Sequence, residues 1–241
     1  MTAPVLTFTI QAGTSGDAIA QLVASRLGYA YLDDEVVLRA AQLAGVPATA
    51  VAASERWPGL GERIWQGLSS MRREREAAIT WHIDEDRTRS LDPRYYRFFL
   101  DRVVIQAAHA GNCVIVGHGA QATLRGRGPG ICNVLLHGSL GKRASRLASR
   151  DSLSEEEARS RLRRKDHEQS EYLKRVYQVD WLAPDLYRLM LNTDDLAEDD
   201  AADLIAQVAS ASDAAPGGFR RSSAYLKVDP RHRTAPSLAR A

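Results

Sequence analysis

Val5-Leu6-Thr7-Phe8-Thr9-Ile10, then Gln11-Ala12-Gly13-Thr14-Ser15-Gly16, then Asp17 through Leu27 is the stretch that decides the fold. The first run is apolar and rich in β-branched and aromatic residues, so it reads as a buried strand. The second reads as a tight glycine loop and the third as a helix. A strand passing through such a loop into a helix N-terminus aims backbone N–H groups and the positive end of a helix dipole at one spot. That spot suits a phosphate. The loop departs from the Walker pattern G-x-x-x-x-G-K-[ST]. Ile10 stands in the place of the first glycine when Ser15 and Gly16 take the Gly-Lys places, so no lysine grips a phosphate. Asp17 puts a carboxylate just inside the helix. The plainer alternative is an ordinary β–α turn.

Working outward, Tyr29–Leu32 is a short strand leading to Asp33 and Asp34. Glu35–Ala44 reads as a helix stopped by Gly45, and Pro47 opens another. Arg56 to Arg89 is polar and charged and reads as a helical insert over the core. Asp92-Pro93 is an N-cap followed by proline at the first helical position, opening a long helix closed by Ala110-Gly111. Cys113–Val116 is a strand ending in Gly117-His118-Gly119, and Ile131–Leu136 is another. A helix carrying Lys142, Arg143 and Arg146 follows. Ser154 with Glu157 forms a capping box for a segment running to about Tyr177. Tyr187–Leu191 is the last strand and Ala197–Ser210 the last helix. Strands alternating with helices imply crossovers, a parallel sheet, and a ligand at the strands' C-terminal ends. The loops Gln11–Gly16, Asp33–Asp34 and Gly117–Gly119 are expected to meet there.

Composition narrows the classes. The 241 residues are 44% hydrophobic and carry a net charge of +2, enough for a sizeable core and no reason to expect nucleic acid. Aromatic residues do not interleave with the basic ones as a single-strand groove requires. The N-terminus shows no signal segment or membrane span, so a cytoplasmic protein is expected. Cys113 and Cys132 fall in expected strands and read as small buried hydrophobes. The histidines form no metal-ligand spacing. From Ser212 onward Pro, Gly, Ser and Arg dominate, which reads as a disordered, mildly basic tail over 212–241 after a domain of residues 1–211.

Gly111-Asn112-Cys113-Val114-Ile115-Val116-Gly117-His118-Gly119-Ala120, Leu153-Ser154-Glu155-Glu156-Glu157-Ala158, and Asp180-Trp181-Leu182-Ala183-Pro184 with Tyr187 and Leu191-Asn192-Thr193 carry a resemblance. In order and spacing they are similar to the cytidylate kinase-like family, relatives of the P-loop nucleoside monophosphate kinases, over about Val5 to Ala209. Tyr31-Leu32-Asp33 through Arg39 is similar to a segment of true cytidylate kinases that helps hold the nucleoside monophosphate. The resemblance implies a three-layer α/β/α P-loop kinase-like fold with a parallel sheet, a helical insert near 34–92 and a lid near 150–180. It implies a nucleoside monophosphate kinase, a phosphotransferase moving the ATP γ-phosphate to CMP or dCMP with Mg2+. Gly13, Thr14, Ser15 and Gly16 would hold the donor phosphates, with the Thr14 or Ser15 hydroxyl reaching the ion. Asp33, Arg39 and His118 would contact the acceptor. Lys165, Asp166, Arg143 and Arg146 would attend the transfer itself. The plainer readings are a helix N-cap for Asp33, an exposed helix arginine for Arg39, and a solvated amphipathic helix for the lid.

The departures from the family pattern are specific. Ile10, His118 and Gln169 stand where the family usually has arginines, and Ser15 replaces a loop glycine. A single transition-state arginine is worth about 10³–10⁵ in rate. Two readings of different class follow: a kinase using small-molecule nucleotides, or a nucleotide-binding regulatory protein that keeps the kinase fold without efficient turnover. A third is an interaction scaffold built on the insert around Trp57–Trp81 and the tail.

Overall fold

The computed structural model describes residues 4–45, 93–128 and 130–213. The helix expected from Pro47 and the insert expected from Arg56 to Arg89, with Trp57–Trp81, lie outside these residues, as does the tail from residue 214.

Five strands form one parallel sheet: β1 (Val5–Ile10), β2 (Ala30–Leu32), β3 (Cys113–Val116), β4 (Ile131–His137) and β5 (Leu189–Asn192), in the order β2-β3-β1-β4-β5. The helices are α1 (Gly16–Leu27), α2 (Asp34–Ala44), α3 (Pro93–Ala110), the short α4 (Ala120–Thr123), α5 (Leu140–Asp151), α6 (Glu155–Tyr177) and α7 (Glu198–Asp213). β1 is central, pairing with β3 from Val5↔Cys113 and with β4 from Val5↔Ile131. Alternate side chains of a strand face opposite sides, and a parallel sheet is covered on both. Accordingly Val5, Cys113 and Ile115 pack with α2 and α3, through residues such as Val37, Leu100 and Val104. Leu6, Phe8, Val114 and Val134 face the other way, onto Ile19 and Val23 of α1 and Ile205 of α7. The result is the three-layer α/β/α arrangement expected from the sequence.

Most element boundaries fall within a residue or two of expectation, and the capping box forms in both directions. Glu157 N donates to Ser154 Oγ at 3.3 Å, and Ser154 N donates to Glu157 Oε2 at 2.9 Å. The last strand differs. Tyr187 does not start it but closes a 3₁₀ turn over Pro184–Leu186, its hydroxyl donating to the Trp181 carbonyl, and β5 begins two residues later. Both cysteines are free and buried, and burial pushes each thiol up to about 11, far from thiolate chemistry at neutral pH. Among the described residues, no helix is long and apolar enough to cross a membrane.

One polar side chain sits inside the apolar strand β4. Asn133 accepts from Thr7 Oγ1 at 2.7 Å and donates to the carbonyls of Gln121 at 3.2 Å and Leu186 at 2.9 Å. It ties α4 and the 3₁₀ turn to the sheet, and buried groups left unpaired are costly. Asn133→Leu is therefore expected to lower stability by about 1–3 kcal/mol, read by urea denaturation. An unchanged midpoint would show that water takes over the abandoned partners.

Candidate functional site

β1 ends at Ile10 and the chain turns sharply through the glycine loop. Gly13 has φ +83°, and a Cβ there would lie 2.7 Å from the carbonyl oxygen of Arg143. Both conformation and space demand glycine, so the loop backbone stays bare. Ser15, exposed and left-handed at φ 56°, is the N-cap residue of α1, and its side chain makes no capping bond. Ser15 therefore caps none of the first-turn amides of α1, and a phosphate cradle draws on such amides. Thr14 is buried, and its hydroxyl donates to the Gln11 carbonyl at 2.7 Å, which locks the loop. Of the two residues expected near a metal, Ser15 is the exposed one. A Cβ on Gly16 would lie 2.4 Å from Ile10 Cγ2, so the Ile10 side chain rests on the first residue of α1.

The loop is held from α5. Arg143 is 3% exposed. Its Nε donates to the Gly138 carbonyl at 3.0 Å and its Nη1 to the Ala12 carbonyl at 3.2 Å. Nη1 and Nη2 also meet the Asp166 carboxylate of α6 at 3.0 and 2.7 Å. A guanidinium has five N–H groups, and these contacts engage most of them. Arg146 donates to the carbonyls of Thr193 and of Asp194, the latter at 2.7 Å, and fastens the end of β5. Both arginines expected at the donor nucleotide thus serve the protein's own backbone in this conformation. Lys165 is half-buried and lies near enough to Asp151 to help hold that carboxyl below its usual range, behind the hydrogen bond from Arg150.

Two of the residues expected at the acceptor, Asp33 and His118, form a second group at the same edge of the sheet. His118 is 2% exposed and left-handed at φ 55°, between two left-handed glycines. Its Nε2 lies 3.1 Å from the Asp33 carbonyl oxygen and 3.7 Å from Asp33 Oδ1. Asp33 is the N-cap residue of α2 but makes no side-chain cap bond. The expectation that these two residues meet is fulfilled. Arg39 is not brought to them: it is exposed and pairs with Glu35 along α2 at 2.7 Å.

Sequence reasoning missed a cluster behind the His118 turn. Asp101 of α3 accepts from Thr123 Oγ1 at 2.6 Å and from Arg97 Nε at 3.2 Å. Tyr177, at the end of α6, donates to the His118 carbonyl at 3.1 Å and lies 3.5 Å from Asp101 Oδ1. The Arg97 guanidinium stacks 4.5 Å above the Tyr177 ring. Burial raises the Asp101 pKa above 3.8, although Thr123 and Arg97 pull against it. In sequence, Arg97 and Asp101 read as one more surface pair four residues apart, and nothing local announces their distant partners.

A glycine loop at the C-terminal end of a central parallel strand, entering a helix whose N-cap side chain makes no cap bond, is the frame of phosphate-binding α/β proteins, P-loop kinase-like ones among them. The family model agrees: the chain belongs to the cytidylate kinase-like family, which it matches over residues 5–195. The cytidylate kinase of Sulfolobus acidocaldarius is 36% identical over 78 residues, a match spanning 32% of this chain and 43% of that protein. The chain therefore matches less than half the length of that curated relative. Among solved structures, an uncharacterized protein from Eubacterium ventriosum superposes over 86% of this chain and 98% of its own, with a TM-score of 0.58 and 13% identity. At that identity the likeness is one of fold.

Two outcomes follow from the geometry. Gly13→Ala forces a left-handed alanine against the Arg143 carbonyl and is expected to cost about 1–3 kcal/mol, measured by denaturant titration. A neutral result would mean that α5 yields. For Asp101, a raised folded pKa means that the protonated form is favoured in the fold. Its contribution is complete below the unfolded pKa and is lost as pH rises through the folded one. Wild type should accordingly lose stability relative to Asp101→Asn as pH climbs from about 4 toward neutrality. The opposite slope would show that the Arg97 pair outweighs burial.

Proposed function

We propose that this chain is a nucleoside monophosphate kinase-like phosphotransferase, moving the γ-phosphate of ATP to a pyrimidine nucleoside monophosphate, CMP or dCMP. The observation that carries this reading is the bare backbone at Gly13, where no side chain fits, opening onto a helix whose N-cap Ser15 makes no side-chain cap bond. Amides of Gly13 to Gly16 would receive the donor phosphates, and the hydroxyl of the exposed Ser15 would reach toward Mg2+. The ion, when bound, neutralises charge on the β- and γ-phosphates. Asp33 and His118 would face the acceptor, with Arg39 turning from Glu35 to its phosphate. An acceptor phosphate oxygen then forms a bond to the γ-phosphorus as the bond to ADP breaks. Positioning and charge supply most of the acceleration for such a transfer.

A second reading has its own support. Arg143 and Arg146 are engaged by backbone carbonyls, and inward-packed residues occupy the places of family arginines. This favours a nucleotide-binding regulatory protein with little turnover. ADP release measured with ATP, Mg2+ and a panel of nucleoside monophosphates, beside calorimetric ATP binding, separates the two. The kinase reading expects ADP only with CMP or dCMP. Arg39→Ala should then raise the acceptor KM roughly tenfold at unchanged ATP affinity. ATP binding without ADP release supports the regulatory reading, and absence of both refutes nucleotide chemistry for this chain.

A further inference from the structure

Each of the two half-sites is fastened to α6. At its middle, Asp166 holds Arg143, which in turn holds the Ala12 carbonyl beside Gly13. At its end, the Tyr177 hydroxyl holds the His118 carbonyl, and a Cβ on Gly119 would lie 2.3 Å from the Tyr177 ring. Gly119 is left-handed at φ +67°, so that position needs glycine for both reasons. A helix rises about 1.5 Å per residue, which puts these two attachment points about 16 Å apart.

α6 is also packed toward both of its ends. Ala158 and Leu162 lie against Ala144 and Leu147 of α5. Tyr172, Leu173 and Val176 form a separate cluster with Trp181. Arg97 of α3 adds a clamp at the C-terminal end, donating to the Val176 carbonyl and stacking on Tyr177.

We propose that α6 is a positioning strut: through Asp166–Arg143 it holds the glycine loop, through Tyr177 it holds the His118–Gly119 turn, and so one rigid helix sets the separation of the two half-sites. The names donor and acceptor for those half-sites rest on the phosphotransferase reading above; the mechanical coupling does not. Asp166, Arg143 and Tyr177 act here through other groups, as positioning residues.

The test is amide hydrogen exchange on the full chain without nucleotide, comparing wild type, Asp166→Asn, Tyr177→Phe and the double variant. A strut transmits slack, so Asp166→Asn should speed exchange at Gly117–Ala120 as well as at Gly13–Gly16, by roughly tenfold. Tyr177→Phe should do the same in the other direction, and the double variant should exchange little faster than the more affected single one. Substitutions this far apart are ordinarily additive. Effects confined to each variant's own end, and summing in the double, would overturn the strut. Asp166→Glu, which keeps the charge but not the bidentate fit, replaces Asp166→Asn should that variant not fold. In steady-state assays, Tyr177→Phe should raise the KM for ATP together with that for the acceptor; an unchanged ATP KM counts against coupling. If wild type transfers no phosphate to any nucleoside monophosphate, the phosphotransferase reading fails, and the exchange pattern still decides the strut.

Discussion

The guanidinium of Arg143 carries a full charge into a place that water barely reaches, and a buried charge is tolerated only when paired and hydrogen-bonded. Its acceptors come from three parts of the chain: Gly138 at the end of β4, Ala12 in the glycine loop, and Asp166 on α6. None of these parts can shift alone without stranding either the cation or the carboxylate. The backbone of the same residue also crowds Gly13, so the shape of the loop and the satisfaction of the charge are one constraint. The end of β5, through Arg146, and the N-terminal half of α6, through its packing on α5, are arranged around that point.

The same constraint puts in order the three positions at which the resemblance leads one to expect arginines. Ile10 lies over Gly16, His118 is turned to Asp33, and Gln169 is 9% exposed on the inner side of α6. Each is a residue that can be packed inward at little electrostatic cost, whereas an arginine needs an anion or a set of carbonyls at hand. Arg143 has both. The left-handed turn at His118 is held by Tyr177 and backed by the half-buried Asp101 cluster, so the loop after β3 is braced from behind as well as from Asp33.

Much of the fold was legible because its signals are local. The Val5–Ile10 run, the glycine loop and the Ser154–Glu157 box each depend on residues within a few positions of one another. All three stand where the pattern puts them. The motif from Asp180 to Tyr187 was legible as a family mark but not as a structure. Its tyrosine buttresses the Trp181 carbonyl and delays the last strand. The site was legible in part. Asp33 and His118 are adjacent, as the strand order requires. Arg39 pairs with Glu35 one turn away on its own helix, while Arg143 and Arg146 are on the expected element with partners that no pattern names.

By itself the sequence determined the strand–loop–helix unit, the parallel α/β/α layering and the glycines at the sheet's C-terminal edge. Hydrophobic period, turn chemistry and capping act over short separations and are written directly in residue order. Only the tertiary structure decided which cations are committed and which face outward. Arg143 meets acceptors 5, 23 and 131 positions away. Tyr177 meets His118 across 59. A guanidinium or a hydroxyl takes whichever acceptor the fold brings within about 3 Å, and that choice exists only after the chain has closed on itself.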